Sequence, residues 1–255
     1  MIIERLKNYY HRNGLTRTIF KIVHRIGEFV GLASKPAYEQ IQSDFINNLH
    51  RYIGIQNEDL QSIFIIGAHT ARELPVLKRK FRNCEFHLFE PYPEYFDRLS
   101  IKYQGDKFVK LHHIALGNEI RTLDFHQTNL DGSGSILEPS VIAKETYNMK
   151  VTETIKVKST KLTDYCSEQK INIPDVLWID VQGYEWQVLS GISAETFQKI
   201  NAIFIEIAAG KPIYDGQFLL GDISDLLNKY GYCLVGLGTD PINLSGNAIF
   251  IKQEA

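Results

Sequence analysis

The sequence predicts an α/β protein built on a mostly parallel β-sheet with helices on both faces. Three observations carry this. Short apolar runs recur from residue 61 onward, each closed by a turn and followed by a segment with helical spacing. Several runs are apolar throughout rather than alternating, as strands covered on both sides are. Three of them deliver an acid at or near their carboxyl end, at Glu90, Asp180 and Glu206, where open α/β sheets bind ligands.

Residues 1–56 read as helices. Ile19, Ile22, Val23, Ile26 and Val30 share one face, and Gly14 separates them from a shorter first helix. A second stripe follows Pro36, with Ile41, Phe45, Ile46, Leu49 and Ile53 on one side. These stripes pack on the main domain or on a partner subunit, which makes a homodimer an open expectation. Alternatively, residues 15–30 form a basic amphipathic helix that rests weakly on an anionic membrane. The expected division is a helical extension or cap over 1–58 and a main domain over 59–255.

The first strand is Ile63–Ile66, followed by Gly67-Ala68 and a helix through Val76, Leu77 and Phe81. Thr70 and Glu73 have capping-box spacing, whereas Pro75 suits a helix start, so that boundary stays open. Phe86–Phe89 is the second strand, ending at Glu90 before Pro91-Tyr-Pro93 and a helix around Tyr95–Leu99. Phe108–Ile114 is the third, with Ala115–Asn118 as a hairpin turn into Thr122–Phe125. Residues 129–160 are the least regular, holding the flexible Asp131-Gly-Ser-Gly-Ser135 loop and a strand-like Thr152–Val157. Val176–Ile179 and Ala202–Ile207 are the fourth and fifth parallel strands. A helix at Ile223–Tyr230 leads to Gly231–Val235, and with Ala248–Ile251 this forms an antiparallel hairpin at the sheet's edge.

Of the 255 residues 44% are hydrophobic and 23% charged, and the net charge is -2. That balance gives no case for a nucleic-acid partner. The three cysteines are scattered and include no CxxC pair, which argues against a disulfide framework or zinc site. No run is long enough to span a membrane, and residues 1–30 lack the apolar core of a signal peptide. The expected location is cytoplasmic.

The first turn reads Gly67-Ala-His-Thr-Ala-Arg-Glu, with one glycine. A dinucleotide site needs several glycines so that the backbone can approach a pyrophosphate, so this turn is a poor phosphate cradle. Glu90 sits where Rossmann-type folds place an acid against the two ribose hydroxyls, and it favours an adenosine with a free 2′-hydroxyl. Asp180 and Glu206 converge if their strands are neighbours, and can then act as a general base, hydroxyl acceptors or magnesium ligands. Glu206 lies within an apolar run and needs a partner or a shifted pKa. His69 in the first turn is better placed for catalysis than His112 or His113.

The block Trp178-Ile-Asp-Val-Gln-Gly-Tyr-Glu-Trp-Gln-Val-Leu-Ser-Gly191 resembles the signature of the FkbM-like methyltransferases. The similarity continues through Phe89–Pro93, Ala115–Gly117, Leu162–Asp164, Ile205-Glu206 and Tyr214–Gln217, and spans roughly residues 60 to 252. The resemblance implies a Rossmann-like class I methyltransferase fold with a seven-stranded sheet, dependent on S-adenosylmethionine. Its members methylate hydroxyl oxygens of sugars or natural products. It places Gly67 and Ala68 at the methionine portion of the cofactor, Glu90 at the ribose, Ala115 by the adenine and Asp180 near the methyl, with His69 and Pro91 also expected at the cofactor. Asp180 is the expected base, with Glu206 and His69 behind it. The lid is expected from the N-terminal helices, the Gly132–Ser135 loop and residues 211–217. Ser135, Gln182, Tyr214 and Gln217 are expected at the acceptor. No dedicated metal site is expected, and magnesium at Asp180 and Glu206 stays open.

The chain departs from the family pattern at Ile65, where an acid is usual, at His69 in place of asparagine, and at Ala71 in place of glycine. One lost acid contact costs about 1–3 kcal/mol, roughly 5- to 150-fold in affinity. That allows a second reading, a methyltransferase fold that binds without catalysing.

Overall fold

The computed structural model describes residues 37–240 and 244–253. The stripe on residues 19–30, Gly14 and the membrane-contact segment lie outside them. Seven strands form the main sheet: β1 (Ser62–Ile66), β2 (Glu85–Phe89), β3 (Val109–His112), β7 (Val176–Ile179), β8 (Ala202–Ala208), β9 (Tyr232–Thr239) and β10 (Ser245–Lys252). Their order is β3-β2-β1-β7-β8-β10-β9. The first five run parallel, and β10 pairs antiparallel to both β8 and β9. The parallel α/β sheet and its terminal antiparallel hairpin are therefore as the sequence predicts.

The sheet divides the core in two because successive strand residues face opposite sides. Ile63, Ile65, Trp178 and Phe204 pack on one side. Phe64, Ile66, Ile179 and Ile205 pack on the other. Every residue of β1 and β7 is buried, which is why these strands read as continuous apolar runs.

Helix α1 (Ala37–Ile53) turns Phe45, Ile46 and Leu49 into the first half-core. The Phe45 ring lies 5.2 Å from Phe204 and 6.1 Å from Trp178, centroid to centroid. The second apolar stripe thus packs on the main sheet. Helix α2 (Leu74–Lys80) carries Pro75 in its first turn, and Glu73 at its N-cap makes no side-chain capping bond. The proline, whose missing N–H costs nothing in a first turn, sets that boundary. Helix α3 (Pro93–Lys102) likewise starts on a proline.

Three expectations change. The run predicted as one strand over Phe108–Ile114 breaks after His112, and Ala115–Leu116 forms a separate short strand, β4. The hairpin into Thr122–Phe125 is absent; β5 (Arg121–Thr128) pairs antiparallel with β6 (Val151–Thr160) instead. β4 pairs parallel with β6, giving a second sheet in the order β4-β6-β5. Third, the least regular segment holds a helix, α4 (Val141–Tyr147), capped by the Ser140 hydroxyl, which accepts from the Ala143 N–H, and its strand-like Thr152–Val157 extends to the ten-residue β6. The remaining helices are α5 (Leu162–Gln169), α6 (Glu185–Ser190), α7 (Ala194–Phe197) and α8 (Leu220–Lys229).

Candidate functional site

β1 is flanked by β2 on one side and β7 on the other, so the strand order reverses there. At such a switch point the connections leave in opposite directions and open a crevice at the carboxyl ends. A cavity of about 270 Å³ occupies this place. Gly67, Ala68, His69, Glu90, Pro91, Ala115, Asp180 and Gln182, all named from the sequence, line it.

The backbone at the cavity floor is tightly fitted. Gly67 has φ +84, and a Cβ there would run into the Asp180 carbonyl oxygen. The Gly67 and Ala68 N–H groups both donate to the Phe89 carbonyl, at 3.0 and 3.1 Å. His69 and Ala71 also take positive φ, 47 and 46. The loop after β1 therefore turns sharply back over the sheet.

Glu90 is 4% exposed. It accepts the His69 N–H at 2.7 Å and the Tyr92 N–H at 2.8 Å, one on each oxygen. Burial pushes its carboxyl up to about 7, against the pull of those two donors. Each oxygen keeps a further lone pair.

β7 and β8 are neighbours, so Asp180 and Glu206 do converge. Gln182 Nε2 donates to Asp180 Oδ1 and Glu206 Oε2, both at 2.6 Å. Glu206 is half-buried behind the cavity wall. Burial, then the charges of Asp180 and Glu185, raise its pKa well above the ordinary value. All of these disfavour its charged form. Glu185 is 3% exposed, and burial lifts it to about 7. Its Oε1 accepts the N–H groups of Val181 and Gly183, pinning the turn between β7 and α6.

Over the mouth, Asp131 Oδ1 lies 3.1 Å from His69 Nε2 and accepts from the Tyr95 hydroxyl at 3.4 Å. Its other oxygen accepts from Arg72 at 3.1 Å. Burial lowers the His69 pKa, opposed by Asp131, so the ring is neutral at neutral pH.

Ser135, Tyr214 and Gln217 stand elsewhere. Ser135 is 1% exposed and donates its hydroxyl to the Gln182 carbonyl at 2.7 Å. Tyr214 is 2% exposed and donates to Gln182 Oε1 and the Ser133 carbonyl, both at 3.0 Å. Gln217 Oε1 accepts the backbone N–H groups of Ile213 and Tyr214. All three hold loops behind the wall rather than line it. The sequence reading missed Glu73 and Tyr95, both of which line the cavity.

Four carboxylates (Glu73, Glu90, Asp131, Asp180) and one guanidinium, Arg72, face this space. Such a lining suits a ligand that bears positive charge and repels phosphate. Among the described residues no group of three or more His, Cys, Asp or Glu is placed to hold a metal ion.

Residues 66–234 match the methyltransferase FkbM domain. The chain is 32% identical over 155 residues to the 2-O-methyltransferase NoeI of Sinorhizobium fredii, covering 58% of this chain and 63% of that one. It is 27% identical over 134 residues to the hexuronic acid methyltransferase AglP of Haloferax volcanii, covering 52% of each. The match thus spans about half to three-fifths of these relatives. A solved SAM-dependent methyltransferase from Aquifex aeolicus aligns at TM-score 0.45 and 11% identity, over 85% of this chain and all of that one.

Proposed function

Because the chain belongs to the FkbM methyltransferase family, we propose that it transfers a methyl group from S-adenosylmethionine to a hydroxyl of a carbohydrate or glycosylated small molecule. The observation that carries this reading is the acid-lined cavity at the switch point, with Glu90 and Asp180 on its wall. The cofactor supplies an electrophilic methyl on a sulfonium, whose positive charge suits that lining.

In this reading Glu90 holds the ribose through the lone pairs its two backbone donors leave unused. Gly67 and Ala68 give the amino-acid end close access to the backbone, and Ala115 lies against the adenine. Asp180, its orientation fixed by the Gln182 amide, accepts the hydroxyl proton. The neutral His69 imidazole stands next in line as acceptor, ahead of Glu206, which lies behind the cavity wall. General-base action is worth roughly 10²–10⁴ in rate, and correct alignment of the acceptor oxygen up to ~7–11 kcal/mol. The sugar assignment draws on the 2-O-methyltransferase and hexuronic acid methyltransferase activities of the two relatives. No helix among the described residues is long and apolar enough to cross a membrane.

The test has two arms. Calorimetry should show that the wild type binds S-adenosylmethionine and that Glu90→Ala binds it at least tenfold more weakly. Radiolabelled methyl transfer to a panel of neutral sugars, uronic acids and glycolipids should show a product that Asp180→Asn forms roughly 10²–10⁴ times more slowly. Absence of cofactor binding by the wild type would overturn the reading.

A further inference from the structure

The cavity's carboxylates are not equally occupied. Glu90 accepts two backbone N–H groups, Asp131 meets His69, Arg72 and Tyr95, and Asp180 takes the Gln182 amide. Glu73 accepts from no other residue among those described, and it leaves its own helix uncapped. Nearby cations are engaged elsewhere: Arg72 with Asp131, and Lys102 with the Thr70 carbonyl at 3.0 Å. β1 contributes no acid of its own, because Ile63 and Ile65 enter one half-core and Phe64 and Ile66 the other. The sharp turn through His69 and Ala71 brings Glu73 to the wall instead.

We propose that Glu73 is the counter-ion for the ammonium at the amino-acid end of the adenosyl cofactor. This rests on the methyltransferase reading and adds a residue to it. An ammonium has three donors and matches a carboxylate that accepts from no residue but its own backbone N–H, whereas a sulfonium carbon shell donates none of that strength. Burial pushes the Glu73 carboxyl up to about 7, consistent with a group whose partner arrives with the ligand.

Calorimetry on wild type and Glu73→Gln with three ligands tests this. S-adenosylmethionine carries both cations, S-adenosylhomocysteine only the ammonium, and 5′-methylthioadenosine neither. The proposal expects Glu73→Gln to weaken the first two by the same factor, tenfold or more, and the third by less than twofold. Unchanged S-adenosylhomocysteine binding would overturn it, as would a parallel loss of 5′-methylthioadenosine or a loss confined to S-adenosylmethionine. A wild type that binds none of the three removes the cofactor reading itself, a distinguishable failure. Circular dichroism reports whether Glu73→Gln is folded, and Glu73→Ala carries the same comparison if it is not.

Discussion

The turn at Gly67 lies so close against the backbone carbonyl of Asp180 that no side chain fits between them. One glycine thereby fixes the distance between the first β-turn and the acid at the end of β7. Gly67→Ala must move one or the other, and it also forces alanine into a left-handed conformation at φ +84. The expected cost is roughly 2–5 kcal/mol, from strain of ~1–2 and overpacking of ~1–3. Urea denaturation checks the stability, and a variant within 1 kcal/mol of wild type would show that the floor can yield.

Glu185→Gln should stabilise the protein in a pH-dependent way. The folded wild type releases this proton near 7 because burial disfavours the charge, whereas the unfolded chain releases it near the ordinary 4.5. The acid's contribution is therefore fully present below about 4.5 and is lost as pH rises through about 7. The glutamine has nothing to lose, and its carbonyl can keep both N–H groups of the turn. Its advantage over wild type should grow between pH 5 and pH 8, on the order of 2 kcal/mol. Denaturant midpoints at the two pH values give the answer, and an advantage independent of pH would refute the assignment.

Phe45→Ala should cost about 3–5 kcal/mol, as loss of a large core ring does. Phe45 is fully buried against Trp178 and Phe204, so α1 belongs to the same cooperative unit as the sheet. Thermal unfolding should remain a single transition at a lower temperature. An unchanged midpoint would mean that α1 is a dispensable attachment.

Asp131→Ala separates latch from stability. Its pair with Arg72 is well exposed, and such pairs are worth about 0–1 kcal/mol. The unfolding midpoint should barely move. In the proposed enzyme the loop over the mouth loses its ties to His69, Arg72 and Tyr95, so cofactor dissociation should accelerate several-fold in stopped-flow displacement. An unchanged off-rate would dismiss the latch.

The parallel strands were readable because burial on both faces makes each an uninterrupted apolar word, as in Ile63–Ile66 and Val176–Ile179. The acids at their ends were readable for the same reason, since Glu90 and Asp180 break those words at the ligand-binding edge. β6 was legible only in part, as a strand-like Thr152–Val157, because its first four residues are exposed and form no buried apolar run. β5 pairs with it rather than with β3, a choice made by tertiary contact. Glu73 was obscured by a local alternative: its spacing from Thr70 suggests a cap, and the left-handed His69 and Ala71 on either side of Thr70 turn it inward. Ser135, Tyr214 and Gln217, expected at the acceptor, are outside the cavity lining. Polar residues in loops suggest ligand contacts, yet theirs are spent on neighbouring backbone and on Gln182.

β10 is synthesised after β9 yet sits inside it, hydrogen-bonded to β8. Until that last ribbon threads into place, β8 presents a bare, strongly apolar flank able to pair with any passing chain. Closure of the β8 edge thus waits on β10, made after β9. Clipping residues 245–252 should yield aggregates rather than a smaller working protein, however intact the distant cavity residues are.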